Sequence, residues 1–281
     1  MHLADDVLVL SASDLVGFLE CGHLTRQDMA VARGELRPPQ FEDLALEIVR
    51  RRGAKHEATL LESFRGAGRS VIEIHSAVAT QAAYREAQQR TLAAMLDGVD
   101  VVYQGVLFDG RWLAYADFLE KVPRRSQLGE YSYEVADTKL ARRPRASALI
   151  QVSLYSCMLA KLQGVEPESM HLVLGTGRRE RFRVSESAPF VRAVRRQLEQ
   201  VVAAYPWESY PEPVEHCGIC RWREVCRHRW EADDHLTLVA GIRRDQSARL
   251  RDAGVSTVAE LAGSSNELRV PRISQRALDR A

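Results

Sequence analysis

Two acidic residues and a lysine fall at spacings that suit a metal site. Asp137 and Lys139 are two apart in the strand-like segment "YEVADTKLA", so both side chains lie on one face of a strand and Glu134 lies on the other. Asp117 lies in "LAYADFLE", the preceding strand-like segment. A carboxylate among apolar residues is costly unless it is paired or binds a cation. Two such carboxylates on neighbouring strands can share a hard divalent metal through their oxygen atoms.

A metal at this point would lower the pKa of a bound water and neutralise charge that develops on a phosphate oxygen. Lys139, held beside the two carboxylates, would orient the attacking water or help to deprotonate it. The spacing leaves an alternative open, which is an ordinary Asp–Lys ion pair at a sheet edge, since a D-x-K pattern arises easily by chance.

The order of these motifs resembles that of RecB-like nucleases in the restriction-endonuclease-like, or PD-(D/E)XK, superfamily. The series consists of Asp117, then Asp137-Thr138-Lys139, then Gln151 and Tyr155 in "QVSLY". The resemblance implies that Asp117 and Asp137 bind Mg²⁺ or Mn²⁺ and that the backbone carbonyl of Thr138 joins them. It also implies that Lys139 is catalytic.

Three further site residues are implied by the same resemblance. Gln151 and Tyr155 are four apart on an apolar helix, hence on one face, and in the family they help to position the active site and the DNA. Ordinary helix packing is the alternative for this pair. A histidine on an early helix often completes the metal site in RecB-like nucleases, and His56 in "RGAKHE" falls at the expected place. We expect its neighbour Glu57 to point elsewhere and to lie outside the site.

Three of the five cysteines lie close together near the C-terminal end of this region. Cys217, Cys220 and Cys226 form a C-x2-C-x5-C pattern in "HCGICRWREVC". An odd number of cysteines with such clustering favours a metal over disulfides in a reducing compartment. Zinc completed by His216 or His228 and an iron–sulfur cluster are both compatible with this spacing.

The fourth ligand is implied by a second resemblance. One N-terminal cysteine in "DLVGFLECGHLT" and three C-terminal ones around the core resemble the iron–sulfur staple of CRISPR-associated RecB-like and AddB-type nucleases. This resemblance implies a 4Fe-4S cluster, mainly structural in role, on Cys21, Cys217, Cys220 and Cys226. Cys157 lies on an apolar helix and is interpreted as a core thiol.

The elements that must position these residues alternate between strands and helices. Hydrophobic periodicity predicts helices over 11–23, 41–64, 80–98, 147–164 and 188–205. It predicts strands over 69–75, 99–110, 111–122, 131–141 and 169–177, with a hairpin turn at Asp109-Gly110. This order indicates an α/β fold with a mixed sheet flanked by helices, as the restriction-endonuclease-like resemblance also implies.

The C-terminal tail is interpreted as a separate small helical unit. Its segment "LVAGIRRDQSARLRDAGVSTVAELAG" has the form helix, turn at Gly254, helix, and resembles a helix-hairpin-helix unit whose backbone amides contact phosphates. A plain helical packing module is the alternative. We predict a nuclease domain over 1–235, including the cysteines, and a tail over 236–281. In related bacterial chains this nuclease part often precedes further domains, which implies a helicase or similar partner.

Composition and charge restrict the class and location of the protein but do not indicate its function. The net charge is +1, and the basic patches "KVPRRSQ", "KLARRPR", "GRRERFR" and "VRAVRR" are diluted by acidic helices. No apolar run approaches the roughly 20 residues that span a bilayer. The N-terminal "MHLADDVLVL" carries acids where a signal peptide carries basic residues, so we expect a cytoplasmic protein without a membrane partner.

The combined expectation is a metal-dependent DNA nuclease. The resemblance implies an Mg²⁺- or Mn²⁺-dependent deoxyribonuclease, acting on DNA ends or single strands in repair or defence. Two alternatives remain: a nuclease-derived DNA-binding module with weak catalysis, and a zinc-stabilised interaction protein. The complete motif series argues against the first alternative, because a decayed site would have lost some of its members.

Overall fold

Strands and helices alternate along most of the chain. The computed structural model describes residues 1–40, 44–75, 78–264 and 269–273. The strands are β1 (His2–Ala4), β2 (Val7–Val9), β3 (Val71–Glu73), β4 (Val101–Phe108), β5 (Leu113–Val122), β6 (Ser132–Lys139), β7 (Ser169–Leu174) and β8 (Arg179–Arg183). The helices are α1 (Ala12–Glu20), α2 (Gly22–Ala32), α3 (Leu44–Gly66), α4 (Gln81–Leu96), α5 (Ala146–Gln163), α6 (Val184–Ala203), α7 (Arg223–Ala232), α8 (Arg244–Asp252) and α9 (Val258–Ala262).

The central element is a six-stranded mixed sheet in the order β3-β4-β5-β6-β7-β8. The pairs β3/β4 and β6/β7 are parallel, and the other neighbouring pairs are antiparallel. Parallel neighbours need a crossover connection, which α4 and α5 supply. The predicted α/β fold with a mixed sheet flanked by helices is confirmed.

The two faces of the sheet are covered unequally. The main apolar core lies on one face, where α1, α4, α5 and α6 contribute buried side chains. On the other face α3 forms a smaller cluster with the sheet, made of Leu61, Phe64, Val101, Phe118 and Ala136. Strand β6 is therefore covered on both faces, and a polar side chain near its end is removed from water.

Several predicted elements differ from the observed ones. The first predicted helix ends at Cys21, and Gly22, expected near its end, instead begins α2. Strand β8 was not predicted, because "RERFR" carries three arginines and alternates between exposed and half-buried positions at the sheet edge. Helix α7 was also missed, since the cysteine pattern dominates that segment. Positions 41–43 of the predicted second helix lie outside the described residues.

The tail has an apolar cluster of its own, made of Leu236, Leu250, Val255, Leu261 and Val270. Helices α8 and α9 are joined through Gly254, whose positive φ of 87° suits glycine. The expected helix, turn, helix order is present, and the domain boundary at 235 stays a prediction. Within the described residues, none of the helices combines the length and apolar character that a membrane span requires.

Candidate active site and cysteine pocket

The end of β6 brings a fully buried carboxylate together with a lysine. Asp137 has no exposed surface, and Lys139 Nζ donates a hydrogen bond to its Oδ2. Gln151 on α5 lies against the other oxygen, with Nε2 3.5 Å from Asp137 Oδ1, and also donates to the hydroxyl of Tyr155 at 2.8 Å. The four side chains therefore lie together, and each pair shares one face of its element as the D-x-K and Q-x-x-x-Y spacings predicted.

Asp117 reaches the same point from β5. The paired register of β5 and β6 runs as far as Phe118 opposite Ala136, and Asp117 lies one position beyond it. Its Oδ2 accepts two hydrogen bonds of 2.8 Å from Thr138, one from the backbone amide and one from the hydroxyl. These bonds hold the carboxylate of Asp117 against the Asp-x-Lys end of β6.

Negative charge is concentrated here. Burial, then the charge of Asp117, raise the pKa of Asp137 to about 7, and Lys139 lowers it only in part. Burial and Asp117 also raise the pKa of Glu57. A buried carboxylate beside two half-buried ones would be stabilised by a cation, and hard oxygen donors suit Mg²⁺ or Mn²⁺.

Glu57 lies close enough to the carboxylates to interact with their charges, which the sequence analysis did not expect. Its carboxylate accepts a hydrogen bond from Gln104 Nε2. The charge of Asp117 raises the pKa of Glu57 and that of Lys139 lowers it, while Glu57 in turn raises the pKa of Asp137. The sequence analysis did not expect this proximity, and whether Glu57 belongs to the site stays a prediction. The missed signal is spacing, because positions 57, 61 and 64 share one stripe of α3 and both Leu61 and Phe64 are buried against the sheet.

His56 lies at the neighbouring strand. Its Nε2 is 3.1 Å from the carbonyl oxygen of Val173, the residue that pairs with Thr138 in the sheet. The ring is half-buried and near the end of β6. Its role as a metal ligand stays a prediction.

The structure brings the four motif cysteines to one pocket. Cys21 lies at the junction of α1 and α2, Cys217 in a single 3₁₀ turn (Glu215–Gly218), Cys220 in the following loop and Cys226 on α7. All four line the same narrow cavity, against Leu24 and the buried Trp222. His216 also lines it, whereas the side chain of His228 is exposed and pairs with Glu231. Cys157 packs against the main core, as expected of a core thiol.

The chemistry of the pocket suits a soft metal. Backbone amides of Leu24 and Val214 lie 3.4 Å from the sulfurs of Cys21 and Cys217, and such bonds stabilise thiolates. Burial and the neighbouring thiols raise the pKa of Cys226 to about 12, and a bound cation would relieve the repulsion between the thiolates.

Across the described residues, no three His, Cys, Asp or Glu side chains stand at metal-ligand spacing at either site. At the carboxylates, Lys139 and Thr138 take up the oxygens instead.

Fold and site together define a class. A mixed sheet in which one interior strand ends in Asp-x-Lys, with a second carboxylate on the adjacent strand, is the arrangement of restriction-endonuclease-like nucleases. The model of the PD-(D/E)XK nuclease superfamily matches residues 24–227, more than half of the chain, and the chain belongs to this superfamily. Its members are typically metal-dependent nucleases. No curated protein matches the chain.

Proposed function

We propose that the protein is an Mg²⁺- or Mn²⁺-dependent deoxyribonuclease of the RecB-like kind that acts on DNA ends or single strands. The observation that carries this proposal is the fully buried Asp137, held between Lys139 and Gln151 with Asp117 beside it. A buried carboxylate with a raised pKa, next to a lysine and a second carboxylate, is a functional-site signature rather than a means of stabilising a sheet.

In this proposal Asp117, Asp137, the backbone carbonyl of Thr138 and His56 hold the metal. When bound there, the ion supplies Lewis-acid chemistry that activates water and neutralises charge on the phosphate. Lys139, whose side chain is about a third exposed at 29%, turns from Asp137 towards the attacking water and orients it. Gln151, anchored to Tyr155, keeps Asp137 in its rotamer. Glu57, whose charge interacts with that of Asp117, would support the metal site electrostatically.

The test compares two acidic residues of the same strand. Asp137→Asn should abolish Mn²⁺-dependent cleavage of end-labelled single- and double-stranded DNA while the variant stays folded by circular dichroism. Glu134→Gln is the control, because Glu134 points to the opposite face and bonds His171 Nε2 at 2.8 Å. It should keep its activity per folded molecule. Wild-type cleavage by Asp137→Asn would refute the proposal and favour a different site.

We also propose a 4Fe-4S cluster on the four pocket cysteines. The convergence of Cys21 with Cys217, Cys220 and Cys226 on one cavity supports this, since both iron–sulfur clusters and zinc accept four thiolates. Anaerobic purification should give a brown protein that absorbs near 400 nm and contains about four iron atoms per chain. One colourless zinc ion per chain would replace this proposal by a zinc-stabilised fold.

Two roles complete the proposal. The tail would contact phosphates through the turn at Gly254 between α8 and α9, as a helix-hairpin-helix unit does. The chain would act in the cytoplasm, in DNA repair or defence, beside a helicase or other domains. A version of the protein ending at residue 235 should bind DNA more weakly while its cleavage site remains intact, and unchanged binding would remove the tail from the proposal.

A further inference from the structure

A large groove opens beside the carboxylate site. It has a volume of about 1050 Å³ and extends from Lys139 and Gln151, at the site, to Ile219 and Arg221 on the loop that carries the cysteines. The end of α3 that precedes His56 forms another wall through Arg50 and Arg52. The groove therefore leads from the reacting groups across three separate elements of the chain.

Five arginines line this groove, and Arg221 among them pairs with Asp28, which also lines it. Arg50 and Arg52 on α3, and Arg143 and Arg145 between β6 and α5, line it, and none of them has an ion-pair partner among the described residues. Arginines elsewhere are commonly paired, as Arg51 is with Glu47 on the same helix. Four guanidinium groups that have no ion pair within the described residues repel one another at this groove, and a polyanion would relieve that repulsion.

The segment 140–145, here called the arginine loop, is held rigidly at its base. A side chain at Gly175 would come within 2.4 Å of the Leu140 carbonyl oxygen, so the two backbones are in close contact. The amide of Gly175 also donates to the carbonyl of Ala141 at 3.2 Å. Pro144 further restricts the loop just before α5 begins. A pre-organised loop loses little entropy when it binds a ligand.

Positive charge continues on the far side of the arginine loop. A second cavity of about 760 Å³ is lined by Arg142, Arg143, Arg145 and Arg178, together with Thr176. Arg143 and Arg145 line both cavities, so the loop is a ridge with guanidinium groups on each side. A ligand that contacts both sides must be extended and must carry repeated negative charge, which describes the backbone of a nucleic acid.

We propose that the arginine loop, with Arg50 and Arg52, binds the sugar–phosphate backbone of a nucleic acid strand and holds a phosphodiester over Lys139. This inference rests on the proposed function and adds the path of its substrate. The lining side chains of the groove, as far as the structure describes them, include no Phe, Tyr or Trp for base stacking. Recognition is therefore by phosphate contacts, independent of sequence and strongly dependent on salt.

The test measures binding without cleavage. The whole chain in EDTA is titrated against a short fluorescein-labelled single strand and the blunt duplex of equal length, with anisotropy as readout, at salt concentrations between about 50 and 200 mM. Each single-strand phosphate contact contributes about 0.7 to the slope of log K against log salt. Arg143→Ala/Arg145→Ala should therefore flatten the slope by about 1.4 and weaken binding about 25-fold at 0.1 M salt.

A matched variant controls for total charge. Arg85→Ala/Arg196→Ala removes two exposed arginines from outside the groove and should leave affinity and slope close to those of the wild type. In Mn²⁺-dependent cleavage, Arg143→Ala/Arg145→Ala should raise KM with little change in kcat, since the contacts hold substrate and transition state alike. Tighter wild-type binding of the single strand or of the duplex identifies which of the two supplies the backbone.

Three outcomes would overturn the inference. They are wild-type affinity and slope in the arginine-loop variant, an equal loss in the control variant, and wild-type binding that is insensitive to salt. Because binding is measured without a divalent metal, the result is separate from the cleavage test. Active Asp137→Asn would refute the nuclease assignment alone, and normal binding by the arginine-loop variant would refute the strand path alone.

Discussion

The carboxylate site and the cysteine pocket are assembled in opposite ways. Asp117, Asp137 and Lys139 come from adjacent strands of one sheet, and hydrogen bonds from Thr138 and Gln151 fix the carboxylates. The cysteines come from a helix junction just before the superfamily region and from a 3₁₀ turn, a loop and a helix at its C-terminal end. The first site is positioned by sheet register, whereas the second depends on distant segments remaining together.

We therefore expect the carboxylate site to serve catalysis and the cysteine pocket to serve the stability of the fold. The carboxylates are hard donors that lie together at an energetic cost, and in the proposed function a cation would offset that cost. The thiols are soft donors, and a metal that binds all four ties α1 and α2 to α7, so that its binding energy becomes folding energy. Loss of the first site should therefore abolish activity and leave the fold intact. Loss of the second should destabilise the fold first.

The largest expected effect is on catalysis at the first site. Lys139→Ala should lower kcat per folded molecule about 10²- to 10⁴-fold, the usual contribution of a group that assists proton transfer. Lys161→Ala, which removes an exposed lysine paired with Asp109, is the control and should be fully active. Single-turnover cleavage with Mn²⁺ measures both. An active Lys139→Ala would mean that this site lacks the predicted role.

The next effect concerns the pocket. Cys21→Ala should lower the melting temperature by about 5 °C or more and remove most of the bound metal, as severely as Cys220→Ala, because each mutation leaves three ligands. Cys157→Ala, in the main core, should keep its full metal content. Calorimetry and metal analysis measure the two quantities. A stable Cys21→Ala protein with full metal content would show that Cys21 is not a metal ligand and that the cysteine pocket does not stabilise the fold.

A smaller effect is expected for Glu57. Glu57→Gln removes one negative charge close to Asp117 and Asp137 while keeping the bond to Gln104, so Mn²⁺ affinity should fall about tenfold, as for other residues that support metal ligands. Isothermal titration measures this. Glu62→Gln, on the exposed side of α3 and paired with Arg65, should change nothing. Equal affinities in both variants would exclude Glu57 from the site.

The smallest effect is a gain in stability. The pKa of Asp137 is raised to about 7 in the folded state, above about 3.9 in an unfolded chain, so its contribution to stability is full below pH 4 and is lost as pH rises through 7. In EDTA, Asp137→Asn should therefore melt a few degrees higher than wild type at pH 8, since about 1 kcal/mol shifts Tm by roughly 2–4 °C.

The same comparison at pH 5 provides the internal control for Asp137→Asn. The difference in melting temperature between variant and wild type should shrink there, because the wild-type carboxyl is protonated in the folded state. Adding Mn²⁺ at pH 8 should stabilise the wild type alone. A difference that is independent of pH would show that the carboxyl does not carry the repulsion inferred from its burial.

Local elements were the most predictable part of the fold. The predicted strand over 131–141 contains β6, and the predicted helix over 147–164 contains α5, because alternation and an unbroken apolar run are local signals. Strand β8 was not predicted, since it is held by hydrogen bonds to β7 and its sequence has no apolar alternation. Helix α2 was not predicted, because only one residue, Cys21 in an extended conformation, separates it from α1, and the following Gly22 was taken for the end of the first helix.

The sequence alone determined the strand and helix order from α3 to β7 and the D-x-K and Q-x-x-x-Y pairs, since spacing along one element fixes which side chains share a face. Tertiary structure alone decided three other features. They are the approach of Glu57 to the carboxylates, the meeting of Cys21 with the distant cysteines, and the position of Arg50, Arg52, Arg143 and Arg145 along one groove. Each joins separate elements, and distances between separate elements depend on how those elements pack, which no local spacing encodes.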